Sequence, residues 1–284
     1  MQIITTKLEL SNQMAACIRQ GKSIGFVPTM GALHAGHASL VKQACAENAV
    51  CVVSVFVNPT QFNNKEDLLK YPRNIKKDAE LLADLGVDFV FAPTPEEMYS
   101  ESEMNSVFTF DFNGLDEVME GKMRPGHFNG VVQIVSRLFQ LVQPTCAYFG
   151  EKDFQQLAII HHMVERSSLS NQFNNIKIVD CPIVREESGL ALSSRNQRLS
   201  SEEKTLAINI SQTLFSSLEW AKKSSVEEVQ QQVINTINAI DGLEVEYYEI
   251  VDKTTLQPTT TFVNAIGCIT VYCGPVRLID NIQY

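Results

Sequence analysis

The chain has 284 residues with 44% hydrophobic and 20% charged positions, which excludes a disordered polymer and makes either one large domain with an appendage or two domains the expectation. A formal net charge of −10 speaks against nucleic-acid binding across a broad basic surface, because that binding rests on neutralising phosphates; a small anionic ligand needs only a few local cations. The seven Cys form no C-x-x-C pair, the N-terminus "MQIITTKLEL" lacks a basic start followed by an apolar core, and no apolar run approaches the roughly 20 residues of a membrane span, so the protein is expected to be cytoplasmic, reduced and free of structural zinc.

From about residue 24 to 180, short β-branched runs alternate with helix-period segments, the pattern of βαβ units. "SIGFVP" (23–28) reads as a strand and "ASLVKQACAE" (38–47) as a helix with Leu40, Val41, Ala44 and Cys45 on one face. "AVCVVSVFVNP" (49–59) is nearly all apolar, as suits a strand buried on both faces. "IKKDAELLADLG" (75–86) is an amphipathic helix with Gly86 as its C-cap, and "VDFVFAP" (87–93) a strand. A helix over 129–142, a strand over 146–150, a helix over 153–167 and a strand over 175–182 follow, with "RPGH" before the first of these read as a mobile loop.

After residue 200 the pattern changes. Helices near 201–222 and 225–239 precede two strand-like runs, 243–252 and 267–280, with no helix between them. The expected fold is α/β: a Rossmann-like, mostly parallel sheet with helices on both faces over 1–184, then a smaller C-terminal α+β domain with antiparallel strands over 185–284 that closes over the first domain's site.

"GFVPTMGALHAGHASLVKQA" (25–44) carries the first chemical signal. Gly31-x-x-x-x-Gly36 has P-loop spacing, but His37 and Ala38 stand where a P-loop has Lys and Ser or Thr; no G-x-G-x-x-G follows the first strand either. A strand, a Gly-rich turn and a helix start would still aim backbone N–H groups and the positive helix end at an anion. His34 and His37, three apart, fall on one side, where two imidazoles can donate to a phosphate oxygen. As a zinc site the pair lacks a third ligand and the Glu of H-E-x-x-H. Asn58 and Gln61 in "NPTQF", at the end of the central apolar strand, offer neutral amides to a hydroxyl or carboxylate. In "GEKDFQQ", Gly150 permits close approach, Lys152 can neutralise phosphate and Asp153 can bind a ribose hydroxyl. Ser193, Ser194 and Arg195 in "LALSSRN" offer two hydroxyls and a forked guanidinium to phosphate oxygens.

"PTMGALHAGH" resembles the His-x-Gly-His signature of the nucleotidylyltransferase superfamily related to class I aminoacyl-tRNA synthetases. Its longer wording is similar to the pantoate–β-alanine ligase family, as are "VSVFVNPTQF" (53–62), "YPRN" (71–74), "RPGHFNGV" (124–131), "FGEKDFQQL" (149–157), "LALSSRN" (190–196) and "RLIDN" (277–281). The resemblance implies ATP-dependent condensation of (R)-pantoate with β-alanine through a pantoyl adenylate, releasing pyrophosphate and then AMP. The alternative is a nucleotidylyltransferase that leaves the adenylyl group on its product. The family resemblance also implies ATP contacts from Met30, Gly31, Ala32, Leu33, His34, Ala35, Gly36 and His37, from Gly150, Glu151, Lys152 and Asp153, and from Val184 on the adenine side with Leu192, Ser193, Ser194 and Arg195. It assigns Gln61 to pantoate and β-alanine and Gln156 to pantoate, with Asn58 expected beside Gln61 from its own place in "NPTQF"; catalysis is expected from His37, His34, Lys152 and Arg195, with His37 the expected proton donor. Mg²⁺ enters with ATP, held mainly by its phosphates, with no protein metal site, and a homodimer is implied. Departures are Lys76 and Lys77 in the helix after "YPRN", Gln133 and Arg137 where relatives often have Thr and Lys, and a longer stretch at 167–177.

Overall fold

The computed structural model describes residues 1–63, 65–104, 106, 108–166 and 168–284. The chain divides into two compact units, the first made of Met1–Gly114, Arg124–Gly150 and Gln156–Cys181, the second of Leu115–Met123, Glu151–Gln155 and Pro182–Tyr284.

The first unit opens with β1 (Gln2–Ile4), α1 (Lys7–Arg19), β2 (Ile24–Thr29), α2 (Ala35–Glu47) and β3 (Val50–Val55). It continues through α3 (Lys65–Lys70), α4 (Ile75–Asp84), β4 (Phe89–Phe91), α5 (Pro95–Met98) and α6 (Glu101–Met104). Beyond α7 (Met119–Met123), which belongs to the second unit, come α8 (His127–Val142), β5 (Cys146–Gly150), α9 (Phe154–Glu165), α10 (Ser170–Phe173) and β6 (Lys177–Cys181). The strands form one parallel sheet in the order β1-β4-β3-β2-β5-β6. From β2 the chain winds outward through β3 and β4, then returns to β5 on the other side of β2. The order therefore reverses between β2 and β5, and the crevice at their C-terminal ends is where such sheets bind ligands.

Alternation along β2 sends successive side chains to opposite faces. Val27 joins Leu40, Val41 and Ala44 of α2 and Leu82 of α4 on one face. Phe26 points the other way and meets Phe139 of α8 edge-on at 6.3 Å, and Phe139 in turn packs on Phe149 and Phe173. Both faces are thus covered, as the apolar run of β3 predicts.

The second unit carries α11 (Ser201–Trp220), α12 (Val226–Asn238), and an antiparallel sheet of β7 (Leu243–Asp252), β8 (Ala265–Cys273) and β9 (Val276–Gln283) in the order β7-β8-β9. Ile210 and Leu214 of α11 and Val229 and Val233 of α12 share a core with Ile250, Ile269 and Leu278 of the sheet. Capping boxes start both helices, Ser200 with Glu203 and Ser225 with Glu228.

The α/β class and the antiparallel C-terminal strands are as the sequence reads. Several local expectations change. β1 and α1 have no counterpart among the elements expected from sequence: β1 is a three-residue strand whose order comes from pairing with β4, and Thr6 caps α1 by accepting from Glu9 N. The run 267–280 is two strands, joined at Gly274 and Pro275, where Cys273 pairs with Val276. The segment before α8 is not a loop up to residue 129; Gly126, at φ +81°, lets the helix begin at His127, which is buried. Ser167, the last residue of the helix expected over 153–167 and the first of the long stretch 167–177, lies outside the described residues.

Candidate active site

The turn between β2 and α2 is built almost wholly from its own side chains. Thr29 donates its hydroxyl to Ser54 O at 2.6 Å and accepts from Gly31 N at 3.1 Å. Gly31 stands at φ +80°, and a Cβ there would come within 3.0 Å of Asp78 Oδ2 and Val55 Cγ1, so glycine is required twice over. Ala32 follows in the left-handed region at φ +52°. The buried carboxylate of Asp78, on α4, holds that conformation by accepting from Ala32 N at 3.0 Å and Leu33 N at 2.8 Å.

The backbone donors expected to face an anion at Gly31, Ala32, Leu33, His34 and Gly36 are therefore engaged by the protein itself. His34 is the N-cap of α2 and its Nδ1 accepts from Gly36 N at 3.1 Å; His37 Nδ1 accepts from His34 N at 3.4 Å, a capping box made of two imidazoles. The rings lie 4.1 Å apart, centroid to centroid. A nitrogen that accepts an N–H bond carries no proton, so each neutral ring holds its proton on Nε2. Five amides of the turn are thus engaged, and each ring carries its donor proton on Nε2. Met30, His34, Gly36 and His37 are half-buried, Ala35 is exposed, and Ala32 and Leu33 are buried.

After β3 the chain makes one 3-10 turn, Pro59–Gln61, with Asn58 at the N-cap position but no side-chain bond to the turn's backbone. Asn58 is 1% exposed and fully engaged: Nδ2 donates to Gln61 Oε1 and Gly130 O, while Oδ1 accepts from Tyr99 and Thr60 hydroxyls. It holds Gln61 and presents no surface of its own. Gln61 donates Nε2 to Met30 Sδ at 3.0 Å, which ties this turn to the histidine turn. His127 adds a third support, with Nδ1 2.7 Å from Gln61 O and Nε2 3.1 Å from an Arg124 guanidinium nitrogen. A carbonyl only accepts, so His127 carries its proton on Nδ1, the opposite tautomer from His34 and His37. Gly130 of α8 lies against the same turn, where a Cβ would fall 2.5 Å from Thr60 O and 2.6 Å from Gln61 N. His127 and Gly130 lie in "RPGHFNGV" but the motif gives them no site role, and Tyr99 lies in no motif, because the ties of His127 and Gly130 to the Gln61 turn and of Tyr99 to Asn58 are long-range.

β5 ends at Gly150, where a Cβ would meet no protein atom within 4 Å. Gln156 is half-buried in the first turn of α9. The neighbouring Gln155 does something different. Within the second unit it donates to Leu115 O and Val118 O and accepts from Gly121 N, pinning the 115–121 segment.

The remaining expected ATP residues lie in the second unit. Glu151, Lys152 and Asp153 form one 3-10 turn, with Lys152 Nζ 3.2 Å from Asp153 Oδ2. Desolvation pushes the Asp153 carboxyl up, but the charges of Lys152 and Arg195 outweigh it and hold the group below the usual carboxylate range. Leu192 N donates to Val184 O at 3.0 Å, closing the loop that leads into a second 3-10 turn, Ser194–Arg198. Ser193 caps that turn by accepting from Arg195 N at 3.2 Å. Asn196 donates to Ala191 O while its Oδ1 is buried without a partner among the described residues, an acceptor that the motifs alone do not single out.

A six-stranded parallel sheet with two Nε2–H imidazoles at the end of β2, beside the reversal of strand order, defines an α/β fold of the nucleotide-binding type. The sequence profile of the family described as Pantoate-beta-alanine ligase matches residues 2–283. The chain is 60% identical over 287 residues to the pantothenate synthetase of Phocaeicola vulgatus, covering 100% of this chain and 99% of that one. It is 56% identical to the pantothenate synthetase of Bacteroides thetaiotaomicron with the same coverage. Its fold is similar to the crystal structure of pantothenate synthetase from Thermus thermophilus, with a TM-score of 0.91, 42% identity, and 100% and 99% of the two chains covered. It is also similar, at a TM-score of 0.81, 37% identity and 100% and 97% coverage, to the pantoate-beta-alanine ligase of Francisella tularensis complexed with beta-gamma ATP and beta-alanine. The chain belongs to the pantoate–β-alanine ligase family.

Proposed function

We propose that the protein condenses (R)-pantoate with β-alanine, using ATP and forming pantothenate through a pantoyl adenylate. The carrying observation is the imidazole capping box, which fixes two Nε2–H donors at the end of β2 in a chain matched by the family from residue 2 to 283. Gly150, Asp153 and Val184 take the adenosine; Lys152, Ser193, Ser194 and Arg195 take the outer phosphates. Gln61, held by Asn58, and Gln156 take pantoate.

The pantoate carboxylate attacks the α-phosphorus in line, the bond to the β-phosphate oxygen breaks, and pyrophosphate leaves. His34 and His37 donate Nε2–H bonds to the non-bridging oxygens, where charge grows in the transition state. The β-alanine amine then attacks the activated carbonyl, loses a proton, and AMP leaves with the C–O electron pair. Splitting the synthesis in this way replaces hydroxide, a poor leaving group, with AMP. Mg²⁺ enters with ATP in this reading, held mainly by its phosphates, where it neutralises charge. The seven free cysteines support a reducing, cytoplasmic setting, and no described helix is long and apolar enough to cross a membrane. The assembly state implied by the resemblance is a homodimer, which sedimentation equilibrium tests.

A product assay with ATP, pantoate and β-alanine, omitting each in turn, tests this function. One AMP and one pyrophosphate per pantothenate, with no AMP when pantoate is omitted, is the expected result. ADP formation, or a stable adenylylated product without AMP, contradicts it.

A further inference from the structure

The "RLIDN" stretch has no part in the chemistry above, yet its last two residues hold both nucleotide-facing segments of the second unit. Asn281, on β9, is buried, and its side-chain amide donates to two consecutive main-chain carbonyls, Glu151 O at 2.8 Å and Lys152 O at 3.1 Å. Those carbonyls belong to the single 3-10 turn that carries Lys152 and Asp153, an element too short to hold itself. Asp280, also buried, receives the Arg185 guanidinium as a fork, at 2.6 and 2.8 Å. Its Oδ1 accepts from Asn281 N at 2.8 Å, so the two residues fix one another.

Arg185 carries the constraint onward. It donates to Gly189 O at 3.2 Å and to Asn281 O at 3.3 Å, and it pairs across an antiparallel bridge with Ala191. That bridge sets the Val184–Leu192 loop, from which Ser193, Ser194 and Arg195 follow directly. The residue types suit this role. An amide supplies two N–H donors from one atom without adding charge, whereas a lysine or arginine at 281 would repel Lys152.

We propose that Asn281 and Asp280 are positioning residues for ATP. Asn281 fixes the turn that carries Lys152 and Asp153. Asp280, through Arg185, fixes the loop that delivers Ser193, Ser194 and Arg195 to the phosphates. The inference rests on the ATP-binding roles proposed above.

A double-mutant cycle in the full chain tests it. Asn281→Ala is expected to raise the KM for ATP about tenfold and to leave the KM for pantoate within about twofold, the size of a lost hydrogen-bond pair acting on one substrate. In a Lys152→Ala background the same substitution is expected to cost at most about threefold more, because its effect runs through the Lys152 turn. A full and equal loss in both backgrounds would overturn the proposal, as would an unchanged ATP KM in Asn281→Ala. Asn281→Ser keeps one donor and is expected to fall between Ala and wild type; if neither variant folds, the residue serves stability and the proposal is overturned. Should wild type form no pantothenate, the proposed function fails, while equilibrium dialysis of ATP against wild type and Asn281→Ala still decides the positioning role.

Discussion

The histidine turn of the first unit and the Lys152 and Ser193–Arg195 turns of the second share ATP phosphates in the proposed function but are held in different ways. In the first, residues two or three apart bond to one another: Thr29 with Gly31, His34 with Gly36, His37 with His34. Asp78, Ser54 and Gln61 add ties from further along the chain. In the second, Ser193 also caps its own turn, but the Lys152 turn is pinned by Asn281 of β9 and the loop before Ser193 by Asp280 through Arg185, across 130 and 95 positions of sequence. A turn that caps itself fixes protonation as well as position, because the bonds that hold the imidazoles also choose their tautomer. A turn held from outside leaves its side chains, Lys152 and Arg195 among them, to act as charges.

Removing parts of each region separates these modes. The largest effect is expected from His37→Ala, which deletes a transition-state donor and should lower kcat about 100- to 1,000-fold with a smaller change in the KM for ATP. Steady-state kinetics checks it, and an ATP KM that rises while kcat holds would place His37 in binding alone. Next is Asp78→Ala, which strands the buried Ala32 and Leu33 amides; urea unfolding should show a loss of about 3 kcal/mol together with a fall in kcat. Asp78→Asn, which keeps one accepting oxygen, should lose less.

Gly130→Ala probes the support of Gln61. Its Cβ would collide with the backbone of Thr60 and Gln61, so the KM for pantoate should rise and stability should drop by about 1–3 kcal/mol, with the ATP KM little changed. The smallest effect is electrostatic. Asp153 sits below its unfolded pKa, so the stability it contributes is present above the ordinary carboxylate pKa and is lost as pH falls through the depressed folded value. Arg195→Ala removes one of the two charges that lower it, and carboxyl NMR titration should show the Asp153 pKa rising in the variant. No change there would mean that Lys152 alone sets it.

What is legible in the sequence follows the same division. The alternation of β-branched runs with helical periods shows the parallel sheet because each element's pattern is local. The His34–His37 spacing is visible for the same reason, although the use of both Nδ1 atoms as caps is not: a Gly-rich turn suggests open backbone amides, and here side chains engage those of Gly31, Ala32, Leu33, His34 and Gly36. β1 escapes sequence reading because a three-residue strand takes its order from β4 rather than from a pattern of its own. Pro125 and Gly126 read as loop residues, yet the positive φ of Gly126 starts α8 at His127, and the burial of that imidazole depends on Gln61, 66 residues away. Asn58 reads as a ligand donor because its amide follows a strand; only the positions of Tyr99, Thr60 and Gly130 show that its bonds are already made. Asp78, Asp280 and Asn281 likewise act across spans that no local pattern encodes.

The turn after β2 holds His34 and His37 with Nδ1 as acceptor, so that each neutral ring carries its proton on Nε2. Long-range ¹H–¹⁵N NMR of the histidine rings, at a pH where both are neutral, tests it most directly. Nδ1 of His34 and of His37 should show the shift of an unprotonated acceptor nitrogen and Nε2 that of a protonated one, with His127 showing the reverse. A proton on Nδ1 of His34 or His37 would contradict it.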